Sequence, residues 1–518
     1  MKNKKFVAMF LFACIAVMLA GCSTENVQTK EERTKDEKAK QVYGYDTISI
    51  SSIRFSTINP ILNTEKSLGN ALGLVYDSLF KIDQNDNVIS QLASSYTWSE
   101  DGKSVQIKIK NGVKWHDGKG ITADDVVFTI EKIKSIPESP YAELVKEISA
   151  VRADVGQSVY IEFKRIDTSL VRNLIFPILP KHRLEALSAQ DFAADANNLV
   201  GSGMYKIGEF QKRKMIVLNR NEDYYAQKPA IEALRVMVVP DSQAQSNMFM
   251  AKEIDFYDDN MFFEGKYGNR KIRTIDYFSG EFEFLAFNMV KEPFGNINFR
   301  KALISGIDRN RMIEEVYLGK GEITQIPVNP KNDFYDESIK PYEYDVQKAR
   351  EYMQGIQMEN IHLSLLVNSE NDQRVKAAYI IKNSLVGMGL EIEVVEKPWE
   401  EYAADLSSGN YDMVIAGWKM PLAGAMRYAL HSQGKGNILG YASEKVDGII
   451  GEIEYTKDKA QLEKKYSQLQ SAVNDDIPYI PLVFKKNALV VSERIAGIST
   501  PSSTNIYGGA EKFSNAGE

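Results

Sequence analysis

The stretch "GNYDMVIAGWKMPLAG" (residues 409–424) decides the reading of the fold. Turn residues open it, the apolar run from Met413 to Ala416 follows, and Gly417, Trp418, Lys419 and a proline close it, which is the profile of a short buried strand. Upstream, "IHLSLLVNS" (361–369) and "LEIEVVEK" (390–397) read as two more strands, with helical segments around 375–386 and 399–406. Strands separated by helical crossovers are usually parallel, so a doubly wound α/β domain is expected from residue 361 onward. A large aromatic and a cation at the exit of a core strand have two readings. Trp418 either plugs the edge of the core or stands in a binding site. Its place just past the expected strand end favours the site, because ligands of such sheets gather at the carboxyl ends of the strands.

At 518 residues the chain is too long for one hydrophobic core, so two or three domains are expected. Its 44% hydrophobic and 26% charged residues are ordinary for a soluble globular protein. Lys2, Lys4 and Lys5 precede an apolar stretch, 6–20, too short for a comfortable membrane span, the layout of a secretory signal. The formal charge of −7 becomes more negative once those lysines are removed, which excludes any overall pull toward nucleic acid. Of the two cysteines, Cys14 lies inside the signal and only Cys22 remains, so neither an internal disulfide nor a thiolate metal cage can form. Residues 23–40 are almost wholly polar and read as a flexible spacer.

Two other blocks carry clear local signals. In "WSEDGKSVQIKIKNGVKWHDGKGITADDVVFTIEKI" (98–133), Val105, Ile107 and Ile109 alternate with polar residues as in a half-buried strand. Thr122 and Asp125 then form a capping-box start to a helix whose apolar face is Val126, Val127, Ile130 and Ile133. The block "FGNINFRKALISGIDRNRMIEEVYLGKG" (294–321) reads as two helices, the second capped by Asp308 and closed by Gly319.

Together these blocks, with "GSGMYKIGEF" (201–210) and "DDIPYIPLVF" (475–484), resemble in content and order the family 5 extracellular solute-binding proteins, which include the oligopeptide, dipeptide and nickel receptors of bacterial ABC importers. The resemblance runs from about Ile48 to Gly497. It implies an α/β, two-lobed, periplasmic-binding-protein-like fold of type II in its large three-domain form, with a hinge and a ligand cleft between the lobes. The implied division is a signal peptide over 1–21, a lipidated cysteine and linker over 22–43, domain I from 44–76, 191–285 and 481–518, domain II over 77–190 and domain III over 286–480. The hinge crossings are expected near 284–288 and 478–482. "LAGC" (19–22) resembles the lipobox of bacterial lipoproteins, implying a lipid on Cys22 and a monomer tethered to the outer face of the cell membrane.

The implied function is capture of a peptide or peptide-like solute and its delivery to an ABC permease, without a cofactor or catalysis. Family members often hold the peptide amino terminus with an aspartate shortly after a Gly-Trp pair, whereas this chain reads Gly417-Trp418-Lys419-Met420-Pro421 and has no carboxylate before Glu444. Lys419 and Arg427 could instead meet an anion. Gly417 and Trp418 complete the expected site, with Asn59, Asn288 and Tyr507 taken from family segments that border the cleft. A metal chelate, another anionic solute or a presented signalling peptide is the alternative cargo. His116, His182, His362 and His431 lack the spacing of a zinc helix, so no bound metal is expected. Ser78 and Lys81 fit a Ser-x-x-Lys pattern, but no companion motif of the penicillin-recognising enzymes is present and an enzyme is not expected.

Overall fold

The alternation of Val105, Ile107 and Ile109 is realised as the strand Ser104–Ile109, whose three apolar side chains are buried. It pairs with Ala93–Trp98 and Ser158–Phe163, and Ile148–Asp154 completes a four-stranded antiparallel sheet. The helix Ala123–Lys134 covers this sheet, its first turn closed by the expected capping box between Thr122 and Asp125. The structure is a computed structural model that describes residues 47–259, 264–268, 272–354, 356 and 361–516. The expected signal, Cys22 and linker therefore lie outside the described residues. No helix among the described residues is long and apolar enough to cross a membrane.

A second four-stranded sheet is ordered Thr47–Ile53, Ala233–Val239, Met215–Arg220 and Tyr205–Gln211. It is joined to the first by the "KWHDG" and "GSGMY" segments. Gly201 and Gly203 lie so close to the backbone of Leu74 and Val75 that an added Cβ would stand 2.0 Å from Val75 O and 2.3 Å from Leu74 O, which explains the glycines. His116 locks the joint: the Gly201 N–H donates to its Nδ1 (3.1 Å), leaving Nε2 to donate to Gly203 O (3.0 Å). Burial pushes the His116 imidazole down to about 4, so the ring is neutral.

Asp77 sits at the same joint. It is 1% exposed, and its Oδ1 accepts from Gln91 Nε2 and from the Tyr224 hydroxyl (3.4 Å). Burial pushes its carboxyl up to about 7, against the pull of Tyr225, Lys81, Tyr224 and Lys110. Since the unfolded group titrates near 3.8, the folded state holds a proton that the unfolded state has released, and stability falls as pH rises from about 4 to about 7. Asp77→Asn cannot lose that proton. Denaturant titrations at pH 5, 6, 7 and 8 should show a wild-type decline of about 1.4 kcal/mol per pH unit up to about pH 7, flattened in the variant. Equal slopes for the two proteins would show that Asp77 titrates as an ordinary carboxylate.

The third sheet has seven strands among the described residues and holds the expected α/β unit. Ile361–Asn368, second from the edge of the sheet, lies between and parallel to Leu390–Lys397 and Met413–Lys419, with the helices Asp372–Val386 and Trp399–Ser408 as crossovers. Two long strands, Arg273–Phe287 and Tyr479–Val491, extend this sheet in antiparallel fashion. Their outer halves pair with each other over 273–278 and 486–491 and place Tyr277, Leu489 and Val491 in the core of the Thr47–Ile53 sheet. Their inner halves place Phe284, Leu285, Ile480 and Leu482 in the cores on the two faces of the α/β sheet. The strand pair thus links the two lobes. The register breaks between Phe278 and Phe282, around Gly280 at φ +80°, before the stretch 284–288 where a crossing is expected. A second irregularity falls between Glu283 and Phe284, opposite Leu482, beside the two expected crossings, and the strands on either side of it remain paired.

Candidate functional site

A cavity of about 390 Å³ lies between the two lobes, within the range of small-molecule sites. One wall comes from the loop at Asp86–Val88 and the 3-10 turn Thr168–Asn173. The facing wall comes from Asn329, Phe334, the segment Met420–Leu422, Gly424, Arg427 and the helices Glu444–Tyr455 and Lys459–Asp476. The exit of the strand Met413–Lys419 therefore feeds the cavity, starting at Met420.

Hydrogen bonds bridge the walls. Arg172 Nε donates to Leu422 O (2.7 Å), the Gly424 N–H to Ser169 Oγ (3.0 Å) and Thr168 Oγ1 to Thr456 O (2.8 Å). At the other rim, Asn329 Nδ2 donates to Asp86 Oδ2 (3.0 Å) and Asn332 Nδ2 to Asn85 O (2.8 Å). Lys457 Nζ reaches Ser99 O (2.6 Å) and Glu100 O (2.8 Å). The lobes are closed on each other through these contacts, most of them to backbone.

Charge in the walls is mostly paired. Arg427 binds Glu454 through Nε (2.6 Å) and Nη2 (2.7 Å), and this hydrogen bonding raises the guanidinium pKa further. Arg165, from the opposite lobe, also reaches Glu454 (3.2 Å) and pairs with Asp167 (2.8 Å). Lys459 pairs with Asp333 (2.6 Å). Burial raises the Asp86 carboxyl, against donation from Asn329 and Ser503. Among the described residues no group of three or more His, Cys, Asp or Glu side chains is placed to hold a metal ion.

Of the residues expected to form the site, only Arg427 is in this wall, and its charge is taken up by Glu454. Trp418 is 4% exposed and stands in an aromatic core with Phe282, Phe284 and Tyr479, its indole N–H donating to Gly436 O (2.8 Å). The expected strand end was too early. Pairing with Arg273–Phe287 continues through Trp418 to Lys419, so Trp418 shares the face of Val414 and Ala416. Lys419 is exposed and opposite Glu281, outside the cavity lining. A Cβ at Gly417 would stand 2.9 Å from the Glu283 carboxylate, so this glycine makes room for an ion pair rather than for a ligand. Asn59 is fully buried and bonds Phe192 O (2.8 Å) and the Ile61 N–H (3.1 Å). Asn288 ties Gly409 O (2.9 Å) and Tyr411 O (3.1 Å). Tyr507 packs edge-on to Phe256 and lines a separate cavity of about 360 Å³.

Sequence reasoning missed Arg172 and Tyr466 in the wall. The available signal for Arg172 was a cation set inside the apolar run "SLVRNLIFPILP" (169–180).

The comparisons agree with this architecture. Residues 87–438 match the model of the bacterial extracellular solute-binding proteins, family 5 Middle. The chain is 26% identical to the oligopeptide-binding protein AppA of Bacillus subtilis over 98% of both chains. It is 23% identical to heme-binding protein A of Haemophilus influenzae over 95% of this chain and 96% of that one. Among solved structures, a putative peptide binding protein AppA from Clostridium difficile superposes with a TM-score of 0.74 at 23% identity, covering 90% of this chain and 100% of that one.

Proposed function

Because this chain belongs to the bacterial extracellular solute-binding proteins, family 5, we propose that it captures a short peptide or peptide-like solute between its lobes and delivers it to an ABC permease. The observation that carries this reading is the cavity whose walls come from both lobes and are bridged by hydrogen bonds, since a solute held there favours the closed form by its differential affinity for it. The peptide as cargo is supported by the relative from Bacillus subtilis, an oligopeptide-binding protein by name. The second reading, a chelate or other non-peptide anion, is supported by the relative named for heme binding. Removal of the signal, a lipid on Cys22 and a place on the outer face of the membrane complete the proposal, and it assigns the protein binding rather than catalysis.

Native mass spectrometry of the protein purified from its membrane fraction without denaturation tests both parts. A ladder of retained masses matching short peptides is expected, on a chain that begins at Cys22 and carries a diacylglyceryl group. A single chelate or organic-acid mass would replace the peptide reading, and an unmodified amino terminus would remove the lipid anchor.

A further inference from the structure

We infer that Arg172 anchors a carboxylate of the solute; this deepens the receptor reading above and rests on it. Leu170, Val171 and Leu174 are buried in the core beneath the 3-10 turn, which fixes its backbone, while Arg172 is half-buried and lines the inter-lobe cavity. Its charge is unspent. Arg427, Arg165 and Lys459 all have carboxylate partners, and Lys457 is held by two carbonyls. Arg172 bonds only through Nε, to Leu422 O, and among the described residues its two terminal nitrogens have neither a hydrogen bond nor an ion pair.

Chemistry narrows what such a group recognises. A guanidinium with free terminal N–H groups offers a planar fork that fits a carboxylate, and apolar surroundings such as Val171, Leu422 and Phe334 strengthen that pairing by excluding water. Tyr466, stacked on Phe334 at 4.9 Å, interacts electrostatically with Arg172 in the same cavity. Asp86 and Asp83 attract the guanidinium from a distance without pairing with it.

The position also couples recognition to closure. Arg172 belongs to one lobe and Leu422 to the other, so closing the lobes strips water from a cation that the protein itself leaves without a counter-ion. A carboxylate supplied by the solute compensates that charge only in the closed form. Anionic solutes therefore shift the lobes toward closure, and neutral ones of the same shape do so less.

The test uses synthetic di- to pentapeptides in two sets, with a free carboxyl terminus and with a terminal amide, bound to the full chain and followed by calorimetry and native mass spectrometry. Amidated peptides carrying an internal Glu separate a terminal from a side-chain carboxylate. The wild type should prefer carboxylate-bearing peptides at least tenfold, Arg172→Gln should abolish that preference, and Arg172→Lys should keep part of it, because it retains the charge without the fork. If Arg172→Gln fails to fold, the wild-type ratio and Arg172→Lys decide. Equal wild-type binding of neutral and carboxylate-bearing peptides overturns the proposal, as does an undiminished preference in either variant. Binding of Ni(II)–histidine or hemin but of no peptide, lost in Arg172→Gln, would end the peptide reading and uphold the anchor. Binding of none of these probes overturns the anchor as well.

Discussion

Trp418→Ala is expected to cost the fold about 3–5 kcal/mol while leaving the solute affinity of the folded fraction within about threefold. The indole is 4% exposed and its ring centre lies 4.1 Å from that of Phe284, 6.0 Å from that of Phe282 and 5.5 Å from that of Tyr479. Truncation opens a void among rings that are themselves anchored in paired strands, so collapse around it is limited. It also removes one of the two donors to the Gly436 carbonyl, leaving only the Ile438 N–H (2.9 Å). Trp418→Phe fills much of the void and should recover more than half of the loss. Denaturant unfolding together with titration of the identified solute discriminates the two readings. A tenfold loss of affinity at unchanged stability would return Trp418 to the ligand site.

Glu283→Gln should destabilise the protein by about 3–5 kcal/mol, through charge rather than volume. Glu283 is 4% exposed and accepts from Arg374 through Nε (2.7 Å) and Nη2 (3.1 Å), with Lys485 Nζ at 3.1 Å. Burial alone raises its pKa, but the two cations outweigh it, and the carboxyl is held below its ordinary 4.5. That contribution is present above about pH 4.5 and is lost as pH falls through the lowered value. The amide leaves Arg374 without its counter-charge and Lys485 with only the more distant Glu281 (3.7 Å). Removing one cation as well, in Glu283→Gln/Arg374→Met, should be less damaging than the sum of the single changes. Strict additivity by denaturant titration, or a loss below about 1 kcal/mol for Glu283→Gln, would mean that solvent already screens the triad.

Trp418 shows why the site was harder to read than the fold. The elements were legible wherever a local pattern carried them: the alternation at 105–109, the Thr122–Asp125 box, the Asp308 cap and the strand–helix succession from 361 all appear at or near their expected places. The strand ending in Trp418 was misjudged because its length is set by its partner. Arg273–Phe287 has 15 residues and keeps pairing past the apolar run, which turns an expected exit residue into a core residue. Arg427, expected to meet an anion, does line the cavity, but Glu454, 27 residues away, takes up its charge.

The sequence by itself determined the class of the fold, the local elements and the family, because periodicity, caps and ordered motifs are properties of contiguous residues. Only the tertiary structure decided which cation in the cavity wall has a carboxylate partner. Arg427, Arg165 and Arg172 carry the same charge and differ in whether a carboxylate from a distant segment has been brought beside them. That distinction arises when two lobes, built from separated stretches of chain and linked by two paired strands, close over a shared cavity.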